Sequence, residues 1–351
     1  MERLVRQCYK QGGYAFAKKA EDVGREYGIS RIARLASNEN PYLPSPEVIA
    51  AAEEAIRAAN RYPDEKASVL TSALKVYYGD YNFVTGVGMD GVIETLIRTL
   101  VEPGETIAVS TPTFSFYGLA AVAQSAKVVS ISREKDFTVS AEKLIAGGCG
   151  AKIVVLCTPN NPTGNATPPS VVQDVLERID GVLFLDNAYV EFSGIDYLPL
   201  LKKYDNLVIG RTFSKAYALA GLRIGYAFVP GWLAPYYARA STPFTVNAVS
   251  AAAAAAALSD KEHPARYAAR VLEWRKRFAE KIKFPVMPSD ANFVMVDISP
   301  YTGDSMVQHL AQQGVIVRSC RSFSGLPDHY IRVSIGEDWE NELFVQVINN
   351  L

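Results

Sequence analysis

The sequence predicts an α/β protein: a large unit built on a mainly parallel sheet flanked by helices, followed by a smaller α+β unit. Three observations predict it. Between residues 83 and 229, short apolar runs alternate with segments of helical spacing, which is the rhythm of a parallel sheet covered on both faces. After Pro243 the texture changes to long helical stretches followed by a few short strands. A chain of 351 residues also exceeds one ordinary domain, so two units are expected.

The elements follow in order. The first 40 residues have no strand–helix rhythm and are expected to pack on the smaller unit. Residues 41–245 form the large unit. In it, Phe83-Val-Thr-Gly-Val-Gly-Met-Asp-Gly91 reads as a short apolar entry, a glycine turn and the start of a helix that continues to Leu100. Thr106–Ser110, Lys152–Cys157, Val182–Asp186 and Asn206–Gly210 read as buried strands, with a helix over Ser170–Asp180 and a further strand at Leu222–Val229. Residues 246–351 form the smaller unit. It has helices over Val246–Leu258 and Pro264–Lys283, a strand at Asn292–Asp297 and a helix near Ser305–Gln313. Strands at Val315–Arg318 and Tyr330–Ile335 and a last helix at Trp339–Leu351 complete it. The unbroken run Ala251–Ala257 is a strong helix former whose small side chains suit close packing.

Composition narrows the function. The chain is 49% apolar and 21% charged, with a formal charge of −1. That is ordinary for a globular protein and offers no basic patch to nucleic acid or an anionic membrane. No run approaches the ~20 apolar residues of a membrane span, and the N-terminus lacks the apolar core of a signal peptide. Cys8, Cys149, Cys157 and Cys320 have neither CxxC nor framework spacing, so they read as reduced thiols of a cytoplasmic protein. His263, His309 and His329 are scattered, so no metal site is expected.

The chemistry centres on Lys215, in Arg211-Thr-Phe-Ser-Lys-Ala-Tyr-Ala-Leu-Ala-Gly-Leu-Arg223. A lysine whose surroundings depress its pKa becomes a nucleophile and condenses with aldehydes. Upstream lie Asn160-Asn-Pro-Thr-Gly164 and Asp186-Asn-Ala-Tyr189. Ligands of open α/β sheets sit beyond the carboxyl ends of the strands, and Asn161, Asp186 and Lys215 each follow a buried strand. Together they supply what pyridoxal phosphate requires. Lys215 would bond the aldehyde and move the substrate proton. Asp186 would pair with the ring nitrogen and keep it protonated. Tyr189 and Asn161 would reach the ring's phenolate oxygen. Arg223, with Thr212 and Ser214, would bind the phosphate. Taken singly, each residue has a plain structural explanation: a surface lysine, a helix cap, a turn. The ordered set carries the reading. Gly88, Met89 and Asp90 open a helix and would add backbone N–H groups to the phosphate, and Phe114 would stack on the ring. Gly86-Val-Gly-Met-Asp-Gly91 also fits GxGxxG, but no acidic strand end follows about 20 residues on, as a dinucleotide site requires.

These segments resemble the fold-type I enzymes that use pyridoxal phosphate, and specifically the histidinol-phosphate aminotransferase family. The resemblance runs from about Ile32 to Ile348. It is carried by Leu35-Ala-Ser-Asn-Glu-Asn-Pro-Tyr42, Arg61-Tyr-Pro-Asp64, Thr158-Pro-Asn-Asn-Pro-Thr-Gly164, Asp186-Asn-Ala-Tyr189 and Ser214-Lys-Ala-Tyr-Ala-Leu-Ala-Gly-Leu-Arg-Ile-Gly225. Gly314-Val-Ile-Val-Arg318 and Ile331-Arg-Val-Ser-Ile-Gly336 extend it. The resemblance implies a homodimer in which Tyr62 of one subunit touches the cofactor phosphate bound to the other. It implies that Arg332 forks onto the substrate carboxylate or phosphate, that Arg318 helps bind that phosphate, and that Tyr14 and Asn38 border the substrate.

The reaction so implied interconverts histidinol phosphate plus 2-oxoglutarate and imidazole acetol phosphate plus glutamate, a step of histidine biosynthesis. Its substrates are a small amine and a 2-oxo acid. Several positions depart from the family pattern: Leu43 for Gly, Phe114 for Tyr, Asn187 for an acidic residue, and Gly88-Met-Asp-Gly91 for Gly-Ser-Asp-Glu. Gln11-Gly-Gly-Tyr-Ala-Phe-Ala17 lacks the usual Pro-Gly-Lys and resembles the start of threonine-phosphate decarboxylases. These changes spare the cofactor chemistry and bear on the amine. An aromatic amino-acid aminotransferase and a phosphate-recognising decarboxylase are therefore the alternatives. Transcription regulators with aminotransferase-like domains carry an added DNA-binding domain, and the first 40 residues show no basic helix-turn-helix.

Overall fold

The computed structural model describes residues 1–10 and 13–351, so Gln11 and Gly12 of the Gly-Gly-Tyr segment lie outside the described residues. The strands of the described residues are, in chain order, β1 (Ala33–Arg34), β2 (Asn82–Val87), β3 (Thr106–Thr111), β4 (Lys127–Ser132), β5 (Ile153–Cys157), β6 (Val182–Asp186), β7 (Leu207–Thr212), β8 (Ile224–Val229), β9 (Phe293–Asp297), β10 (Val315–Ile316), β11 (Arg318–Ser319) and β12 (Tyr330–Ser334). The large sheet has the order β2-β8-β7-β6-β5-β3-β4. β7, β6, β5, β3 and β4 are parallel, and β8 runs antiparallel to both its neighbours.

Period-two alternation sorts the apolar runs into two cores. Along β6, Val182 and Phe184 join one buried cluster and Leu183 and Leu185 the other. The first cluster includes side chains of helices Gly88–Leu100, Phe116–Ala123 and Ala234–Ala240. The second meets helices Ser68–Tyr78, Ala141–Gly148 and Pro169–Leu176 and continues into the smaller unit through Phe293, Val333 and Phe344. Each fully buried Val, Leu or Phe contributes about 1.5–3 kcal/mol, so a strand with every residue buried, as β6 is, is fixed by both layers at once.

The alanine run lies in helix Ala248–Ser259, which starts where Asn247 accepts the Ser250 N–H, a side-chain N-cap. It packs against helices Pro46–Ile56 and Ser68–Tyr78, where small side chains allow close approach. The smaller unit has a three-stranded antiparallel sheet, β11-β12-β9, and a closing helix, Asp338–Asn349, with a capping box between Glu337 and Glu340.

The structure corrects several sequence expectations. The first 40 residues do contain regular structure: helix Ala20–Tyr27, ended by left-handed Gly28, and strand β1. The single strand expected over Val315–Arg318 divides in two, because β10 pairs in parallel with β1 while β11 pairs with β12. The strand expected from Leu222 begins at Ile224, because Arg223 has a left-handed φ of 48°. β2 was expected only as a short apolar entry, and β4 gave no strand signal. Both are edges of the large sheet with several exposed side chains, so neither carries the continuous apolar run of a central strand.

Strand order sets the position of the site. From β3 the chain passes outward to β4, then returns to the other side of β3 as β5. The crevice at the carboxyl ends of β3 and β5 is the switch point of the sheet, where open α/β folds bind ligands.

Candidate active site

A cavity of about 520 Å³ opens at this edge of the large sheet. Phe114 follows β3, Asn161 follows β5, Asp186 ends β6 and Lys215 follows β7. Arg223 immediately precedes β8, whose reversed direction brings it to the same edge. Every site residue named from the sequence lines this cavity except Gly88 and Tyr62. Tyr62 is exposed and stacks on Phe244, with ring centroids 4.7 Å apart.

Lys215 is half-buried, and its Nζ donates to the Ser37 carbonyl at 3.1 Å. Burial, reinforced by the charge of Arg332, pushes its pKa down to about 8. A fraction of the amine is therefore neutral near physiological pH, which is what a lysine nucleophile requires.

Asp186 is buried. Its Oδ1 accepts the Ala188 N–H at 2.9 Å and its Oδ2 accepts the Tyr117 hydroxyl at 2.6 Å. Burial pushes its pKa up to about 6, and the Tyr117 hydrogen bond opposes that rise. Tyr117 lines the cavity beside Asp186 and was not singled out from the sequence. The available signal was its place three residues after Phe114, immediately beyond a strand that ends at the site.

Tyr189 accepts a hydrogen bond from Asn38 Nδ2 at 3.1 Å. Asn38 adopts a left-handed φ of 54° and is tied to β12 twice, its N–H donating to Ser334 Oγ and its Oδ1 accepting from the same hydroxyl. Arg332, on β12, donates from Nη1 to Asn161 Oδ1 at 2.6 Å and from Nη2 to the Ala36 carbonyl. Its buried Nε has no partner among the described residues. Arg318 stands opposite Arg332 in the β11–β12 register, and burial together with the Arg332 charge lowers its pKa. Its guanidinium lies 5.7 Å from the Tyr14 ring centre, and Tyr14 in turn meets Phe114 edge-on at 5.8 Å. The smaller unit thus places two buried cations over the cavity.

A glycine-lined cradle completes the site. Gly88 has a φ of 67° and starts the helix that carries Met89 and Asp90. A Cβ at Gly88 would stand 2.6 Å from Arg223 Nη2, and one at Gly225 would stand 2.6 Å from the Gly88 carbonyl carbon and 2.7 Å from the Met89 nitrogen. Arg223 is held by Asp90 Oδ2 at 2.8 Å. Thr212 Oγ1 donates to Ser214 Oγ at 3.0 Å and accepts the Ser214 N–H. Helix N–H groups, an arginine and two hydroxyls suit a phosphate ester.

The donor set fits pyridoxal phosphate. The cradle suits its phosphate, the buried carboxylate of Asp186 its ring nitrogen, the flat face of Phe114 its ring, and the partly neutral amine of Lys215 its aldehyde.

Comparison with known proteins agrees with this chemistry. Residues 30–348 match the family aminotransferase class I and II. The histidinol-phosphate aminotransferase of Methanoculleus marisnigri is 62% identical, over the full length of both chains. The crystal structure of histidinol-phosphate aminotransferase from Sinorhizobium meliloti, in complex with pyridoxal-5'-phosphate, superposes with a TM-score of 0.86 at 26% identity, covering 99% of this chain and 98% of that one. The L-threonine-O-3-phosphate decarboxylase from Porphyromonas gingivalis shares the fold, with a TM-score of 0.79 at 20% identity, covering 91% of this chain and 99% of that one.

Proposed function

The chain belongs to the class I and II aminotransferases and, within them, to the histidinol-phosphate aminotransferase family, and from that premise we propose that it is a pyridoxal-phosphate-dependent aminotransferase interconverting histidinol phosphate plus 2-oxoglutarate and imidazole acetol phosphate plus glutamate. The observation that carries this reading is the pairing of Arg318 with Arg332 over the amine of Lys215. Two buried cations beside a nucleophilic lysine suit substrates that bear an anion at a fixed distance from the reacting carbon, whether phosphate or carboxylate.

Pyridoxal phosphate, when bound, supplies an electron sink for the charge left at the substrate Cα. The protein does the rest. Arg223, Ser214, Thr212 and the N–H groups of Met89 and Asp90 would hold the phosphate. Asp186 would offer a negative charge to the ring nitrogen, and Tyr189 and Asn161 would address the phenolate oxygen. Arg332 and Arg318 orient the substrate anion, with Tyr14 and Asn38 at its border. Lys215 Nζ would be the base that takes the proton from the substrate Cα and holds it for return, and its lowered pKa suits both roles.

The active form in this reading is a cytoplasmic homodimer. Tyr62 supports the dimer: it is exposed and outside its own cavity, the position expected of a residue that serves a second subunit's site. Among the described residues no helix is long and apolar enough to cross a membrane.

A single-turnover titration of the cofactor-loaded protein with histidinol phosphate, tyrosine and O-phosphothreonine tests the substrate. Rapid conversion of the cofactor to its amine form by histidinol phosphate, with the others slow, supports the reading. A preference for tyrosine makes it an aromatic aminotransferase. Carbon dioxide from O-phosphothreonine makes it a decarboxylase.

A further inference from the structure

Asp186 is a carboxylate in an unfavourable place. It is fully enclosed, and its side-chain hydrogen bonds come from two donors, the Ala188 amide and the Tyr117 hydroxyl. Burying a charge is costly unless hydrogen bonds compensate for the lost water. Tyr117 is itself completely buried, and its hydroxyl approaches to 2.6 Å, the short range of an O–H donor on an ionised oxygen. Its ring is fixed edge-on against Phe114, with centroids 5.6 Å apart and planes at 86°. The two donors occupy different oxygens, so each oxygen keeps a lone pair free. The other ionisable groups around this carboxylate are Cys157 on β5, opposite Asp186 in register, Asp90 on the helix after β2, Lys215, and Tyr189, whose hydroxyl burial keeps neutral. Cys157 is pushed up to about 12 by burial and so stays neutral.

We propose that Tyr117 is a positioning residue for the reaction: its hydroxyl holds Asp186 as a carboxylate, turned so that a free lone pair meets the cofactor's ring nitrogen. The proposal rests on the aminotransferase reading for its second half only. The hold of Tyr117 on Asp186 is a property of the protein by itself, and a residue that merely filled the core would lack it.

The test is Tyr117→Phe, which removes one oxygen and keeps the ring. In the cofactor-free protein, the Asp186 carboxyl is followed by 13C NMR, with its resonance assigned through Asp186→Asn. The wild-type midpoint is expected at about 6. In Tyr117→Phe it rises by about one to two pH units, the effect of losing one hydrogen bond to a charged group. Should Tyr117→Phe fail to fold, 3-fluorotyrosine in place of Tyr117 keeps the shape, donates more strongly and lowers the midpoint. In protein loaded with cofactor labelled with 15N in the ring, the ring-nitrogen resonance of Tyr117→Phe at neutral pH moves toward its unprotonated position. The first half-reaction slows by about 10–100-fold, with little change in KM.

An unchanged Asp186 midpoint overturns the proposal. So does a loaded variant that loses activity while its ring-nitrogen resonance stays at the wild-type position, because Tyr117 then acts through packing. A wild-type protein that takes up no pyridoxal phosphate overturns the proposed function instead, and the carboxyl titration still decides the hold of Tyr117 on Asp186.

Discussion

Arg332 Nη1 donates to Asn161 Oδ1 across 2.6 Å, and this bond ties the smaller unit to the loop after β5 at the centre of the site. The same guanidinium reaches the Ala36 carbonyl, so one arginine fixes the N-terminal segment, the loop and β12 around the cavity. In the proposed reading a substrate anion would meet a cation that is already oriented, whose Nε has no partner among the described residues.

Arg332→Lys should therefore be far from conservative. An ammonium group cannot serve both Asn161 and Ala36 while also offering a planar fork. We expect kcat/KM to fall by about 10–100-fold, the equivalent of one or two charge-assisted hydrogen bonds, with cofactor affinity nearly unchanged. Steady-state kinetics beside a cofactor titration checks both halves. A variant with unaltered kcat/KM would remove Arg332 from the substrate site.

Lys215 gives a pH prediction. Its pKa is lowered from 10.5 to about 8, so capture of the cofactor aldehyde by the cofactor-free protein should rise about tenfold per pH unit below 8 and level off above it. The same shift bears on stability. Between about pH 8 and the ordinary lysine range the unfolded chain binds more protons than the folded one, so stability rises with pH through that window. Below pH 8 both states hold the proton, and the cost of the enclosed charge is present in full. Lys215→Ala should abolish the capture, remove this pH-dependent part of stability, and lower turnover by at least about 10²–10⁴-fold. Stopped-flow absorbance and denaturant melts at several pH values measure these effects.

Much of this was legible in the sequence because central strands announce themselves. β5, β6 and β7 are fully buried, so their apolar runs are continuous and the polar residue ending each run falls at the site. Edge strands β2 and β4 gave no such run, and the N-terminal strand β1 is two residues long, defined only by its partner β10. Most of the proposed cofactor residues sit at the ends of strands, Phe114 after β3, Asn161 after β5, Asp186 on β6 and Lys215 after β7, each within a short segment that a linear motif can report. The long-range contacts were not legible for a physical reason. Asn38 meets Ser334, and Arg318 faces Arg332, through tertiary pairing, and no local period encodes it. Tyr117 was hidden differently: a tyrosine in an apolar helix looks like core, and only its hydroxyl's 2.6 Å approach to Asp186 sets it apart.

Gly225→Ala tests the cradle. Its Cβ would press on the backbone of Gly88 and Met89 at 2.6–2.7 Å, and backbone cannot swing aside as a side-chain tip can. The helix start proposed to face the phosphate must shift. Overpacking of this kind costs typically about 1–3 kcal/mol, so the cofactor-free protein should melt at lower temperature. Cofactor affinity should fall further than that of a surface variant of equal stability. Calorimetry and a cofactor titration separate the two effects, and an intact affinity would place the phosphate elsewhere.

Tyr62 makes the last prediction, because it decides whether one chain suffices for one site. It lies outside its own cavity, exposed and stacked on Phe244, so a contribution to cofactor binding has to be made to another subunit. Tyr62→Ala alone should weaken cofactor binding by about 10–100-fold, the loss of one hydrogen bond to a charged group. Lys215→Ala alone should be inactive. Mixed and reassembled, the two variants form hybrid dimers in which the Lys215→Ala chain lends its intact Tyr62 to a partner that still has Lys215. Random pairing in a twofold dimer then restores about a quarter of the wild-type sites, at cofactor concentrations where neither parent works. Recovery of activity on mixing, lost again when the chains are kept apart, is the expected result. If mixing restores nothing while hybrids are demonstrably present, Tyr62 serves no neighbouring site and its exposed stack on Phe244 is a surface feature only.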